Sequence, residues 1–316
     1  MRRNAIDDFL QQVPLMIVDG GLATELEARG ADLRDPLWSA KLLIEQPELI
    51  HATHLEYFRA GADVATTASY QATFEACAHR GIGAEGAAAL MRKSIELALA
   101  ARDEFWADRS HRTSRLRPLV AASIGPYGAM LGDGAEYRGH YALDDAALMR
   151  FHRPRLEVLA DAGADLLAIE TIPSLREALI LAQLLESRPD TAGWISFSCG
   201  DAAMTWEGQN IGDCASALNP FAQVAAIGVN CTSPELVAPL LGRLRASTAK
   251  PLIAYPNSGE HYDAGTKRWL GCAARTRFAD LARDWYAAGA RLIGGCCRTT
   301  PQDIREIKAW AGSIAA

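Results

Sequence analysis

"AGADLLAIET", residues 162–171, joins the end of one structural element to the whole of the next. Its alanine and glycine stop a preceding helical pattern, and a short run of leucine, alanine and isoleucine follows at once. Consecutive apolar residues over so short a length suit a parallel strand covered on both faces. The phrase recurs as "AGADVATT" at 60–67 and "AGARLIGGCC" at 288–297. Helical patterns precede these too, as in "PELIHATHLEYFRAG" before the first.

Five further segments have the same character: "LMIVDGG" (15–21), "PLVAASIG" (118–125), "GWISFSCG" (193–200), "AAIGVNC" (225–231) and "PLIAYPN" (251–257). Candidate helices separate most of them, among them "SLREALILAQLLESR" at 174–188 and "SPELVAPLLGRLRAS" at 233–247. About eight strand–helix units with no composition break or linker predict one (β/α)8 barrel domain spanning residues 1–316, with a doubly wound open sheet as the alternative.

Composition sets outer limits. Of 316 residues, 49% are hydrophobic and 22% charged, which suits a globular chain with a substantial core. A net charge of −6 and the lack of a long basic block argue against a nucleic-acid partner. The densest basic stretch, "HRTSRLRP" at 111–118, is expected to be a solvated connection between a helix and a strand. No apolar run approaches the roughly 20 residues that cross a bilayer, and the basic N-terminus has no apolar signal core. The expectation is a cytoplasmic protein with no membrane partner, a monomer or weak homo-oligomer. Seven cysteines form an odd set in a chain too large to need disulfide staples, so reduced thiols are expected.

A barrel puts its chemistry at the C-terminal ends of its strands. There stand Asp19, Gly20 and Gly21 after the first strand, Thr66 and Thr67 after the second, and Glu170 and Thr171 at the fourth. Asn230 and Cys231 end the sixth, Tyr255 and Asn257 the seventh, and Gly295, Cys296 and Cys297 the eighth. Cys231 lies far along the chain from the adjacent pair Cys296 and Cys297, yet a barrel brings strands six and eight close together. Three thiolates could converge on one cation. Sulfur selects zinc or an iron cluster, and a cluster normally takes four cysteines, so Zn2+ leads, with one coordination position open as catalytic sites require. The competing reading is three buried apolar cysteines, as expected for Cys77, Cys199, Cys214 and Cys272. Neighbouring side chains on an extended strand point opposite ways, so the two preceding glycines are read as a turn that aims both sulfurs one way.

"DGGLATELEARG" (19–30), "GVNCTSPE" (228–235) and "GGCCRTTP" (294–301), with "PELI…H…YFRAGAD" between 47 and 63, resemble the homocysteine S-methyltransferase family. The resemblance spans nearly the whole chain. It implies a (β/α)8 barrel, zinc on Cys231, Cys296 and Cys297, and methyl transfer to L-homocysteine to give methionine. It also implies that Glu170 binds the substrate ammonium and that the Asp19 loop lies beside the amino acid.

Physical chemistry agrees with this reading. A free thiol is only about 3% ionised at pH 7, whereas a zinc-bound one is deprotonated outright. Thr67 and the backbone N–H groups of Gly20 and Gly21 are expected to donate to the substrate carboxylate, and Asn230 to orient the metal ligands. A cationic donor suits aromatic faces, so Trp38, which matches a donor-site tryptophan of betaine-using relatives, and Tyr70 are donor-site candidates. The chain carries neither the long C-terminal extension of the betaine-dependent relatives nor folate and cobalamin modules. S-methylmethionine or S-adenosylmethionine is therefore the expected donor. Betaine-dependent transfer, or a non-catalytic zinc- or thiol-binding barrel, is the alternative.

Other signals carry less. "GIGAEG" at 81–86 follows a helix instead of a strand, so it lacks dinucleotide-binding geometry. His51 and His54 share a helix face without a third ligand, and packing or solvation accounts for them better than a second metal. The long "GPYGAMLGDGAEYRGHY" at 125–141 is read as a cover over the site or an ordinary flexible loop.

Overall fold

The computed structural model describes residues 4–33, 38–263, 268–270 and 277–314, and for residues 38, 261–263 and 268–270 the backbone alone. Eight parallel strands are present: β1 (Met16–Ile17), β2 (Val64–Thr66), β3 (Leu119–Ile124), β4 (Leu166–Ile172), β5 (Gly193–Phe197), β6 (Val224–Asn230), β7 (Leu252–Tyr255) and β8 (Ala290–Ile293). Each pairs with the next in chain order from β2 to β8, and β8 pairs with β1 through Met16 and Leu292. A parallel bridge from Val18 to Val64 joins β1 to β2, supported by Asp63 N donating to Ile17 O at 2.7 Å. That join closes the ring and rules out the open doubly wound sheet.

A helix follows each strand: α1 (Pro47–Ala60), α2 (Ala84–Ala107), α3 (Asp145–Ala160), α4 (Leu175–Glu186), α5 (Ile211–Leu218), α6 (Pro234–Ser247), α7 (Phe278–Ala287) and α8 (Pro301–Ala311). Alternate strand residues divide between two layers. Val64, Leu166, Ala168, Trp194, Ile253 and Leu292 fill the barrel interior together with Ile6 and Phe9 of the N-terminal helix Ala5–Leu10. Ile17, Leu167, Ile169, Ile195, Ile227 and Ile293 pack outward against the helices. Among the described residues, no helix is long and apolar enough to cross a membrane.

The recurring phrase now has a physical meaning. Its glycines, Gly61, Gly163 and Gly289, have φ of +121°, +86° and +117°, the left-handed region in which a helix turns off into a strand. Its aspartates fasten neighbouring strands: Asp63 accepts from Ile17 N at 3.0 Å, and Asp165 accepts from Val120 N at 2.8 Å. Arg102 pairs with Asp165 at 2.9 Å and Arg115 with Asp63 at 3.1 Å. Arg115 corrects the expectation of a merely solvated basic connection. Its side chain is only 9% exposed and also donates to Phe58 O and Ala62 O, tying the segment before β3 to the α1–β2 turn.

Candidate metal and substrate site

The strand ends surround a cavity of about 270 Å3 lined by Gly20, Gly21, Thr66, Thr67, Tyr70, Ser123, Glu136, Tyr137, Glu170, Tyr255 and all three expected cysteines, among others. Cys296 Sγ stands 3.1 Å from Cys231 Sγ, and Cys297 Sγ stands 3.5 Å from it. All three sulfurs lie within 4.8 Å of one another, and the cysteines are free. Among the described residues this is the one cluster of potential metal ligands; His51 instead pairs with Glu104 at 3.5 Å.

Backbone geometry brings the sulfurs together. Cys231 itself has φ of +48°, a strained conformation for a side chain of this kind, and its N–H donates to Tyr255 O at 3.3 Å. Cys296 N donates to Pro256 O at 2.7 Å, and Ser258 N to Cys297 O at 3.1 Å, so the β7 end braces the cysteine pair. Gly294 and Gly295 serve close approach, which corrects the expectation of a glycine turn. A Cβ on Gly294 would lie 2.5 Å from Val18 O, and one on Gly295 would lie 2.3 Å from Thr299 Oγ1. The left-handed residue is Arg298, at φ of +66°.

The electrostatics of the cluster call for a cation. Donation from Cys296 and then Cys297 holds the Cys231 thiol well below its ordinary value, while the same bonds to Cys231 hold both neighbours well above theirs. The protein alone thus favours one negative charge shared by three sulfurs. Full ionisation of all three needs a positive ion among them. The separations fit one: tetrahedral thiolates at about 2.3 Å from a metal lie about 3.8 Å apart, and a disulfide would be near 2.05 Å. Three sulfurs without a carboxylate or imidazole make a donor set for a thiophilic metal.

Asn230 sits behind the cluster. Its Oδ1 accepts from Thr171 N at 2.7 Å and Ser196 Oγ at 2.8 Å, while its Nδ2 donates to Thr171 Oγ1 at 2.8 Å and approaches Cys296 Sγ at 3.9 Å. Asp19 is buried and accepts from Thr66 N at 2.8 Å and from Thr66 Oγ1 at 3.0 Å. Burial outweighs those bonds and, with Glu170 nearby, pushes its carboxyl well above the usual carboxylate range. Glu170 accepts from Ser123 Oγ, and burial pushes it up to about 7. Glu170, which lines the cavity with the buried Asp19 close by, is poised to ionise beside an incoming cation.

The expected carboxylate donors are already occupied in part. Ser69 Oγ donates to Ser123 O at 2.8 Å, so the 2.7 Å contact between Thr67 and Ser69 takes the Thr67 hydroxyl hydrogen. Gly21 N donates to Thr299 Oγ1 at 3.1 Å. Neither group is therefore free for a ligand, whereas Gly20 N–H makes no hydrogen bond among the described residues. Tyr70 lines the cavity. The Trp38 side chain and Cys272 lie outside the described residues.

Sequence reasoning did not single out Ser123, Glu136 or Tyr137. The last two sit on the long segment after β3, which does reach over the cavity: Tyr137 Oη lies 3.4 Å from Cys231 Sγ. The length of that segment was the available signal; which of its residues turn inward was not encoded by any periodicity.

A family model described as homocysteine S-methyltransferase matches residues 16–311. The chain belongs to the homocysteine S-methyltransferase family. It is 51% identical over 311 residues to homocysteine S-methyltransferase YbgG of Bacillus subtilis, covering 98% of this chain and 99% of that one. Homocysteine S-methyltransferase of Escherichia coli is 48% identical over 98% of the chain and 99% of its own length. The crystal structure of homocysteine methyltransferase MmuM from E. coli in its metallated form superposes with a TM-score of 0.87 at 45% identity, covering 97% of this chain and 99% of that one. The chain is accordingly a methyltransferase acting on homocysteine, built on a (β/α)8 barrel.

Proposed function

We propose that this single-domain barrel transfers a methyl group from a sulfonium, S-methylmethionine or S-adenosylmethionine, to L-homocysteine, with zinc held by Cys231, Cys296 and Cys297. The observation that carries the reading is the three-sulfur cluster within 4.8 Å, open to a cavity that also presents Glu170, with the buried Asp19 close to it. Zinc, when bound to these sulfurs, would supply ionisation of the substrate thiol near neutral pH.

The chain's own groups do the remaining work. Asp19 and Glu170 receive the homocysteine ammonium, whose charge favours their ionised forms despite burial. Gly20 N–H is the loop donor left for the substrate carboxylate. Asn230 holds Cys296 and the Thr171 backbone in register. Fixing the amino-acid end of homocysteine fixes the direction from which its sulfur meets the donor methyl, and this alignment supplies much of the rate. The thiolate electron pair forms the new sulfur–methyl bond as the donor's own carbon–sulfur bond breaks. The released pair stays on the donor sulfur, which departs as a neutral thioether, and the thiol proton has gone to solvent. The requirement for free thiols also supports a reducing, cytoplasmic setting.

Methionine formation from homocysteine, measured with S-methylmethionine, S-adenosylmethionine and betaine in separate reactions, tests the reading together with metal content. Turnover with a sulfonium and about one zinc per chain is expected. Turnover with betaine alone, or full activity after metal removal, overturns it.

A further inference from the structure

Glu136 has no partner in the roles described so far, yet it lines the same cavity as the sulfur cluster. Its Oε2 is buried and makes no hydrogen bond among the described residues. Arg138, two positions on, gives its guanidinium to Asp133 at 3.0 Å on the surface. The turn Ala135–Tyr137 that carries Glu136 is firmly placed. Ser198 Oγ donates to Glu136 O at 3.2 Å, and a Cβ on Gly128 would lie 2.5 Å from Glu136 N, so the segment packs tightly on itself. Upstream, Tyr127 N donates to the buried Glu177 carboxylate at 2.6 Å.

The cavity therefore has two carboxylate poles. One is Glu170 on β4, with the buried Asp19 near it; the other is Glu136, from the covering segment, which lines the cavity together with Tyr70 and Tyr137. A carboxylate beside aromatic rings is the chemistry that recognises a methylated onium ion, since the rings attract the charge-bearing methyl groups and the carboxylate neutralises them. Homocysteine offers only one cation, its ammonium, so one pole remains for a second, cationic ligand.

We propose that Glu136 determines specificity for the methyl donor by pairing with its sulfonium charge, with Tyr70 and Tyr137 completing that wall of the cavity. The inference rests on the sulfonium-donor reading above. Burial pushes the Glu136 carboxyl up to about 7, as befits a carboxylate whose counter-ion arrives with the ligand.

The test compares wild type, Glu136→Gln and Glu136→Asp as zinc-loaded proteins, measuring KM for S-methylmethionine and for homocysteine separately. Calorimetric titration with S-methylmethionine in the absence of homocysteine gives binding without turnover. Glu136→Gln keeps the shape of the side chain and removes its charge. Its donor KM should rise about tenfold or more, with matching loss of calorimetric affinity, while the homocysteine KM stays within about twofold. Glu136→Asp should fall between the two. Unchanged donor KM in Glu136→Gln, or an equal rise in both KM values, overturns the proposal. Failure of wild type to use any sulfonium, by contrast, removes the donor reading itself and is visible before any variant is made.

Discussion

Cys296 Sγ and Cys231 Sγ lie 3.1 Å apart although they belong to different strand ends, β8 and β6, with β7 between them. Replacing either cysteine with serine leaves two sulfurs, too few for the complete donor set. Cys231→Ser, Cys296→Ser and Cys297→Ser should each bring metal content well below one per chain and reduce methionine formation by about 100-fold or more. Cys214→Ser is the control. Cys214 is buried in α5 with its thiol pushed up to about 12, so it should keep metal and turnover. Elemental analysis beside the methyl-transfer assay decides the matter, and normal metal content in Cys231→Ser would remove the cluster from the mechanism.

Asn230 links the cysteine cluster to a strained backbone. It satisfies both Thr171 N, at a residue with φ of +60°, and Ser196 Oγ, while its amide approaches Cys296 Sγ. Asn230→Ala strands these buried groups and should cost roughly 2–4 kcal/mol of stability. Metal affinity should also fall by roughly 10- to 100-fold, as measured by competition with a chromophoric chelator. A loss of stability with unaltered metal affinity would mean that Asn230 supports the fold alone.

The barrel was legible because its strands are short, apolar and punctuated by glycines that the left-handed helix exits require, as at Gly61, Gly163 and Gly289. The convergence of the three sulfurs was legible too, since strand order alone brings residues 231 and 296–297 to one rim. The hydrogen-bond state of Thr67 and Gly21 was not, because it depends on Ser69 and Thr299, whose proximity no local pattern announces. Likewise Glu136 and Tyr137 lie in an irregular segment, where side-chain direction is fixed by tertiary contacts and not by a period of two or 3.6. The role of Gly294 and Gly295 was misread for a related reason: a glycine in sequence signals freedom, but only packing reveals whether conformation or clearance is used.

Clearance is also the reason for Gly228, in the middle of β6. A Cβ there would lie 1.7 Å from Ile253 O on the adjoining strand β7, a clash with backbone that no rotamer relieves. Gly228→Ala should therefore force apart the two strands that carry Cys231 and brace Cys296, costing more than about 4 kcal/mol or preventing folding. Gly242→Ala, where nothing lies within 4 Å of the added carbon, should raise stability slightly through its better helix propensity. Soluble yield and denaturant unfolding of the pair give the comparison, and similar stability of the two variants would contradict the clearance argument.

His54 makes acid stability a test of burial in α1. It is fully buried, neither ring nitrogen has a hydrogen-bond partner among the described residues, and burial, followed by neighbouring His51, lowers its pKa to about 3. The unfolded chain takes up this proton near pH 6.5, and the folded chain only near pH 3, so the unfolded state binds more protons between those values. The contribution is fully present above pH 6.5 and is lost as pH falls, at up to about 1.4 kcal/mol per unit. Glu136 and Glu170, raised from 4.5 to about 7, act with the opposite sign, because the folded state protonates them first and gains stability as pH drops through that range. Their effect is shared by wild type and His54→Leu, so the difference between the two isolates the imidazole. Urea unfolding at pH 7.5 and 5.5, values chosen to bracket the unfolded histidine pKa near 6.5, should show wild type losing roughly 1 kcal/mol more than His54→Leu. Parallel losses in the two proteins would show that His54 keeps an ordinary pKa in the folded chain, and with it that water reaches the inner face of α1.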